Sequence, residues 1–161
     1  MNYNHSKIGS WLCKVLYRDA LFLARHNFLY YFLNFTWGLV LTLVGYVITL
    51  VLLICGKKPT KYHGIHYFAI GQSWGGMEMG TMFLRDTTSS EHVSKHELGH
   101  TYQNAILGPF MLFIVSIPSA IRYWYQEFRT RKGKSNKPYD AIWFEDSATC
   151  IGTTIVDNEG R

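Results

Sequence analysis

The chain has 161 residues and a formal net charge of +5, a length that allows one domain and excludes a second sizeable core. Hydrophobic residues make up 48% and aromatic residues 16% of the sequence, and the mean hydropathy is −0.02. The basic residues lie beside apolar segments without a recognised nucleic-acid-binding motif, so we expect membrane lipid, and not nucleic acid, as the partner of this charge.

The first predicted element is an amphipathic helix over residues 8–26. Basic side chains recur on one side of it, at Lys7, Lys14, Arg18 and Arg25. Apolar side chains favour the other side, namely Ile8, Leu12, Val15, Leu16, Phe22 and Leu23. A basic amphipathic helix ahead of an apolar segment is typical of a chain lying on an anionic membrane surface, and a helix packed on the domain is the alternative.

The second predicted element is a transmembrane helix. From Asn27 to Gly56 there is no charged residue, and Trp37 to Cys55 is almost wholly apolar, which approaches the roughly 20 residues that a spanning helix needs. The segment ends in Lys57-Lys58-Pro59 without a small-residue cleavage pattern, so we expect a retained anchor and no cleaved signal peptide.

Two short apolar runs, residues 65–70 and 77–84, are separated by "GQSWGG", a pattern that predicts a β-hairpin. Ser89 or Ser90 then predicts the start of a helix near Glu91.

The predicted helix runs through "EHVSKHELGHTYQNAILGPF" into an uncharged membrane segment over residues 101–121. Gly108-Pro109 and Pro118 interrupt this segment and predict kinks or breaks. A basic polar connection is expected over residues 122–138, followed by a helix over residues 139–156 that carries carboxylates in its first half.

The expected fold is therefore a mainly α membrane protein with a small β-hairpin. Residues 1–56 would form the amphipathic helix and the anchor, and residues 57–161 the domain with the kinked membrane segment. The three cysteines, Cys13, Cys55 and Cys150, are widely spaced without a CxxC pair and predict no disulfide framework.

"HELGH" is the motif that carries chemistry. His96 and His100 lie one helical turn apart and project from the same face, so both can ligate one zinc ion. Glu97 lies beside them and can act as the base for a metal-bound water. His92 lies one turn earlier, too far from His100 to share the same ion, and is expected near the site or in solvent.

A catalytic zinc needs a third protein ligand, and no further histidine follows the motif at short range. Glu145 and Asp146 lie in the otherwise apolar "AIWFEDSATCIG", where a carboxylate is costly unless it is paired or metal-bound. Glu145 is the predicted ligand and Asp146 the alternative. A straight helix over 101–121 would carry the chain about 30 Å away, so this ligand set requires that segment to bend.

"HELGH" followed by "EDSAT" resembles the gluzincin membrane metallopeptidases, which include the CAAX prenyl protease and its bacterial heat-shock relatives. The resemblance implies one Zn²⁺ per chain, with His96, His100 and Glu145 as ligands and Glu97 as base. Thr149 stands where the family has an aspartate that supports a ligating histidine, and it offers a weaker hydrogen bond. "HELGHTYQ" is also similar to very small bacterial membrane peptidases with HExGHxxQ. This places Gln103 and Asn104 at the edge of the site and implies the bacterial inner membrane as location.

The predicted function is a membrane-embedded zinc endopeptidase acting on membrane or membrane-proximal peptides. Residues 77–84 are the candidate edge strand for an added substrate strand, above all Met77, Glu78, Met79, Gly80 and Thr81. Four residues are candidate oxyanion donors, namely His92, Tyr102, Arg122 and Tyr139. The alternative is a non-catalytic membrane scaffold or assembly factor in which the metal holds two helices together, although such a site has no use for Glu97.

Overall fold

The computed structural model describes residues 7–159, without the side chains of residues 7–10, 12, 13, 140 and 159. This part of the chain is mainly helical and carries one small mixed sheet. Its elements are α1 (Lys7–Arg25), α2 (Asn27–Thr36), α3 (Leu39–Ile54), β1 (Thr60–Tyr62), β2 (Ile65–Ala69), β3 (Gly76–Met79), β4 (Met82–Arg85), α4 (Glu91–Leu107), α5 (Ile117–Arg131) and α6 (Trp143–Glu159).

The first helix, α1, confirms the prediction over residues 8–26 and packs against α6. Ala20 and Leu23 are buried in the same core cluster as Ile151 and Ile155 of α6, which is the packed alternative. Of the predicted apolar face, Leu23 is buried, Leu16 is partly buried, and Val15 and Phe22 are exposed. The side chains of Lys7, Ile8 and Leu12 lie outside the described ones.

The predicted single transmembrane helix is wrong. The uncharged segment forms two helices, α2 and α3, whose axes bend by 96° at Trp37-Gly38. Across the described residues, no one helix has both the length and the apolar character to cross a bilayer, and only this bent pair reaches them jointly.

The bend between α2 and α3 is fixed by polar contacts with α4. The Asn104 side-chain amide donates to Oδ1 of Asn34 at 2.6 Å and to the Gly38 carbonyl at 3.2 Å. The Trp37 indole N–H donates to the Ile106 carbonyl at 3.2 Å. A side chain at position 38 would collide with Asn104, so the glycine lets the break sit directly on α4.

The sheet has the order β1-β2-β4-β3, with β2 and β4 parallel and the other pairs antiparallel. The predicted hairpin between residues 65–70 and 77–84 is therefore wrong, because the second run folds back on itself. Its hairpin is β3-β4, closed by a tight turn at Gly80-Thr81, where Gly80 has a φ of 72°. One face of the sheet packs on α4 and the other on α3.

The segment after α4 bends as predicted. α4 ends at Leu107, because Gly108 takes a φ of 57° and lies against the Trp37 ring. A π-helical turn over Leu112–Ser116 precedes Pro118, a position where the proline ring would clash with the carbonyl four residues earlier in a regular α-helix.

The predicted connection over residues 122–138 is wrong in its first part, because α5 continues to Arg131. The helix predicted over residues 139–156 is confirmed from Trp143 onward as α6, and the first predicted residues form a separate 3₁₀ turn at Tyr139–Ala141 followed by an extended Ile142. Cys150 is disulfide-bonded, which the wide cysteine spacing did not predict, whereas Cys55 is free and exposed.

Candidate metal centre

The four residues of the predicted centre lie on two helices. α4 carries His96, Glu97 and His100, all buried, and begins after Ser90 at its N-cap position. α6 carries Glu145, whose side chain is fully buried. A carboxylate in that position is stable only where charged or hydrogen-bonding partners surround it.

Three candidate ligand atoms converge on one point. Nε2 of His96 lies 3.0 Å from Oε2 of Glu145, and Nε2 of His100 lies 3.1 Å from the same oxygen. The two Nε2 atoms lie 3.1 Å apart. The three atoms therefore form a nearly equilateral triangle, and this buried group could hold a metal ion.

Small residues bring the two helices close enough for this triangle. A Cβ atom added at Gly99 would overlap the backbone carbonyl of Ala148, and one added at Gly152 would overlap the carbonyl of Lys95. Because these neighbours are backbone atoms, any side chain at either glycine would push α4 and α6 apart. The glycine inside "HELGH" thus has a packing role that places Glu145 beside the histidines.

Hydrogen bonds at the other ring nitrogens set the orientation of both imidazoles. The Gln103 side-chain amide donates to Ser147 Oγ at 2.8 Å and to the Phe144 carbonyl at 3.1 Å. Its Oε1 atom therefore faces His100 Nδ1 at 2.7 Å, so the N–H of His100 lies at Nδ1. This tautomer leaves the Nε2 lone pair of a neutral His100 directed at the triangle.

His96 is oriented in the same way by a residue of α6. Oγ1 of Thr149 lies 2.8 Å from His96 Nδ1. The hydroxyl can accept a hydrogen bond from an Nδ1–H, the tautomer that leaves Nε2 of His96 free for a metal. Partners of this kind hold the ring of a metal-ligating histidine and raise its basicity.

The donor set fits a cation. Oε1 of Glu145 is buried and has no hydrogen-bond partner, while Oε2 faces two imidazole nitrogens. An orphaned carboxylate oxygen beside two converging nitrogens costs free energy unless a positive charge lies between them.

Electrostatics within the triangle favour the ionised carboxylate. Burial alone would raise the pKa of Glu145, but the hydrogen bonds from His100 and His96 outweigh it and hold that pKa well below its usual range. Burial would likewise lower the pKa of His100, but the hydrogen bond and charge of Glu145 outweigh it and raise that pKa. In the metal-free chain a proton on the imidazole thus neutralises the carboxylate.

Glu97 is the fourth buried member of the centre, and its carboxylate lies against strand β3. Burial raises its pKa, the charges of His96 and His100 oppose the rise, and the charge of Glu145 adds to it. The nearby backbone N–H of Glu78 also opposes the rise. A buried carboxylate with a raised pKa beside a metal site is the usual state of a general base.

Tyr139 borders the centre on the side of α5. Its ring centroid lies 6.4 Å from that of His96, and its hydroxyl lies 2.6 Å from Ser119 Oγ. Arg122 holds the backbone here, donating to the Tyr139 and Pro138 carbonyls at 3.2 Å and 2.7 Å. Burial and the charge of Glu145 raise the pKa of Tyr139, so the phenol stays protonated, and its hydroxyl donates to the Ser119 carbonyl at 3.2 Å.

Other predicted residues lie away from the triangle. His92 is exposed at the start of α4. Tyr102 is buried in the core against Tyr30, with 4.8 Å between ring centroids, and projects from nearly the opposite side of α4 to His100. Asp146, the alternative ligand, is buried but is not part of the metal-binding group. Gly80 and Thr81 form a turn and do not lie on the edge strand.

Comparisons of the chain with protein-family models, with curated proteins and with solved structures find no match. The functional assignment therefore rests on the donor atoms and on the residues that surround them.

The sequence interpretation missed three glycines of the site. Gly99 and Gly152 set the distance between α4 and α6, and Gly76 lies directly under Glu97. The signal for the first two was a pattern of small residues on both helices, with Ala148 and Gly152 four positions apart on α6. Nothing in the sequence pointed to Gly76, because strand β3 passes Glu97 only in the folded chain.

Proposed function

We propose that the chain is a membrane-embedded zinc-dependent endopeptidase that hydrolyses peptide bonds of membrane or membrane-proximal substrates. The observation that carries this proposal is the convergence of two imidazoles and one carboxylate with a further buried carboxylate, Glu97, beside them. The motifs "HELGH" and "EDSAT" support the same reading through their resemblance to gluzincin peptidases.

Zinc is the metal that this ligand set favours. The triangle edges of 3.0–3.1 Å approach the ligand separation of about 3.3 Å that follows from tetrahedral Zn–N and Zn–O bonds of about 2.0 to 2.1 Å. Two histidines and one glutamate are also a ligand set of catalytic zinc, in which a water takes the fourth position. His96, His100 and Glu145 would hold one ion.

When bound, the metal supplies a Lewis acid that polarises the scissile carbonyl and acidifies a water. The Glu97 carboxylate takes a proton from the attacking water and returns it to the amine of the leaving peptide half. Tyr139 stays protonated beside His96 and is the favoured donor to the oxyanion, for which its hydroxyl must turn away from the Ser119 carbonyl. Thr149 and Gln103 keep both imidazoles in the ligating orientation.

The edge strand β3 is the favoured place for the substrate backbone. The two-residue turn makes Met79 and Met82 a hydrogen-bonded pair. Backbone groups of alternate residues in an antiparallel strand face the same side, so the N–H and C=O of Met77 also face β4. The N–H and C=O groups of Gly76 and Glu78 therefore face away from the sheet. The Glu78 N–H lies near Glu97, so the Gly76 N–H and both carbonyls are the groups proposed to pair with an extended peptide.

Two exposed apolar surfaces support a membrane partner. On α3, Leu43, Val47, Leu50 and Ile54 are each more than half exposed, and Lys57, Lys58 and Lys61 follow. The second surface is named here the α5 stripe and consists of Phe113, Ile117, Ile121, Trp124 and Phe128, all exposed. A basic cluster follows it, namely Arg129, Arg131, Lys132 and Lys134.

Apolar stripes that end in aromatic and basic residues are typical of helices that enter a bilayer and stop at its headgroups. The membrane location, with the bacterial inner membrane as implied by the resemblance, rests on these surfaces and on the motifs.

Metal analysis of the purified chain tests the first step of the proposal. We expect one zinc per chain in the wild type and in Glu97→Gln, and strongly reduced zinc in Glu145→Ala. Equal zinc content in wild type and Glu145→Ala would remove Glu145 from the ligand set, and with it the proposed centre.

Catalysis is tested by labelling new N-termini in the membrane proteins of cells that express wild type or Glu97→Gln. Peptide N-termini present only with the wild type, and then reproduced in vesicles with a quenched fluorescent peptide spanning such a site, support the peptidase. If the two chains give the same termini while both hold zinc, the scaffold alternative replaces it.

A further inference from the structure

Strand β3 passes so close to Glu97 that only a glycine fits at the crossing point. A Cβ atom added at Gly76 would lie 2.6 Å from Cγ, 2.7 Å from Oε1 and 2.9 Å from Cδ of Glu97. Real Cβ atoms essentially never approach other heavy atoms this closely. The Glu97 side chain therefore lies flat on the strand in the space that any other residue at position 76 would fill.

The same strand also brings a polar backbone group near this side chain. The backbone N–H of Glu78, two residues along β3, lies near enough to the Glu97 carboxylate to lower its pKa. Glu97 itself is only 5% exposed, so solvent does not offer an alternative set of hydrogen bonds. The strand thus provides both the room for the carboxylate and a nearby N–H that favours its charged form.

We propose that Gly76 is a positioning residue for Glu97: the missing side chain lets the carboxylate rest on β3 at the place from which it serves as base. This inference rests on the proposed peptidase function, and it assigns to the edge strand a role in proton transfer besides substrate binding.

The crowding at Gly76 differs in kind from that at Gly99 and Gly152. At those positions the neighbours are backbone carbonyls, which move only if two helices separate. At Gly76 the three nearest atoms all belong to the Glu97 side chain, which has rotatable bonds. Gly76 also does not have a positive φ, so alanine is compatible with its backbone. An alanine there should displace the carboxylate and leave the fold intact.

The first experiment compares wild type, Gly76→Ala and His66→Ala, an exposed position on β2 as matched strand control. We expect all three to hold one zinc and to unfold at similar temperatures. Loss of a general base lowers a rate by about 10²- to 10⁴-fold, so a displaced base should lower kcat by at least about tenfold in Gly76→Ala. The His66→Ala rate should equal that of the wild type.

The decisive arm uses a shorter base. In Glu97→Asp the crowded methylene is absent, so a methyl group at position 76 has less to displace. We expect Gly76→Ala to lower the rate of the Glu97→Asp chain by about twofold or less, against the larger loss in the wild-type background. An equal loss in both backgrounds would show an effect unrelated to Glu97 and overturn the proposal, as would an undiminished rate for Gly76→Ala.

Cobalt loading provides a readout that does not need a substrate. The visible absorption of Co²⁺ bound in place of zinc responds to the groups around its water, and should change in Gly76→Ala in the same direction as in Glu97→Gln. The Co²⁺ spectrum of the Glu97→Asp variant should be the same as that of the double variant Glu97→Asp with Gly76→Ala. If the wild type cleaves no peptide, the proposed function fails while this spectrum still decides the positioning. An unchanged spectrum in Gly76→Ala overturns the positioning alone.

Discussion

His96 and Thr149 are 53 positions apart in the chain, yet Nδ1 of the imidazole and Oγ1 of the hydroxyl lie 2.8 Å apart. The threonine thereby holds the ring of one candidate metal ligand from the helix that also carries Glu145. A neutral hydroxyl accepts a hydrogen bond less strongly than a carboxylate. A substitution at position 149 can therefore either weaken or strengthen this hydrogen bond.

Replacing Thr149 by valine removes the acceptor and keeps the shape, so we expect zinc affinity to fall by about 10- to 100-fold. Replacing it by aspartate should tighten zinc binding, because a charged acceptor raises the basicity of His96. Competitive titration against a chromophoric chelator measures both. Thr154→Val, on the same helix with its hydroxyl bonded to the Cys150 carbonyl at 2.8 Å, is the matched control. Equal affinities of Thr149→Val and this control contradict the assignment.

Gly99→Ala and Gly152→Ala should each separate α4 from α6, because the added methyl group meets a backbone carbonyl. Overpacking of this kind costs about 1 to 3 kcal/mol in stability, and the displaced Glu145 should also weaken zinc binding. Thermal unfolding and zinc titration measure the two effects. If either variant keeps wild-type stability and wild-type zinc affinity, a methyl group fits between α4 and α6 and the proposed packing role of that glycine is wrong.

The candidate ligands of the site were predictable from the sequence. Each depends either on the spacing of residues along one helix or on the free-energy cost of a carboxylate in an apolar segment. One turn of helix places His96 and His100 on the same side. The penalty for a carboxylate in an apolar helix singled out the Glu145-Asp146 pair, with Glu145 as the predicted ligand, and the resemblance favoured the same residue. The bend after α4 was predictable for the same reason, since Gly108 and Pro118 act on their own neighbourhood.

The errors arose where distant contacts override local pattern. Hydropathy indicates an apolar segment but not its bend, which depends on Asn104 reaching the carbonyl of Gly38. The predicted strand pairing was wrong for two reasons. A parallel β2-β4 pair has no signature in the local sequence. The short turn at Gly80 lies inside an apolar run that predicts a single strand. The basic residues after Arg122 were predicted to lie in a connection, although Arg129 and Arg131 lie in the last turn of α5.

Glu78 gives the stability of the metal-free chain a pH dependence. Burial raises its pKa from 4.5 to about 8. Between these pH values only the folded chain keeps the proton, so stability falls as the pH rises through this window and the loss is complete above about pH 8. Glutamine keeps the oxygen that accepts the Gly80 N–H and cannot ionise. The stability of Glu78→Gln should therefore exceed that of the wild type by on the order of 5 kcal/mol above pH 8 and match it near pH 4.5.

Urea unfolding of both chains in the presence of a chelator, at a series of pH values, measures this difference. Glu91→Gln is a control, because Glu91 is an exposed carboxylate on α4. Its effect should be small and nearly independent of pH. A constant difference between Glu78→Gln and the wild type from pH 4.5 to pH 9 would mean that Glu78 is ionised throughout.

The α5 stripe should contribute directly to bilayer binding. Ile121 and Trp124 are 64% and 66% exposed, and burying such side chains in lipid contributes about 1.5 to 3 kcal/mol each. Ile121→Ser with Trp124→Ser should therefore weaken partitioning of the full chain from detergent into vesicles by at least about tenfold.

Vesicles with anionic lipid should retain more chain than neutral ones, and salt should reduce that difference, because the basic cluster follows the stripe. Asn158→Ala, at an exposed position on α6, should partition like the wild type. Equal partitioning of the stripe variant and this control would assign the stripe to a protein partner, such as a second copy of the chain, in place of lipid.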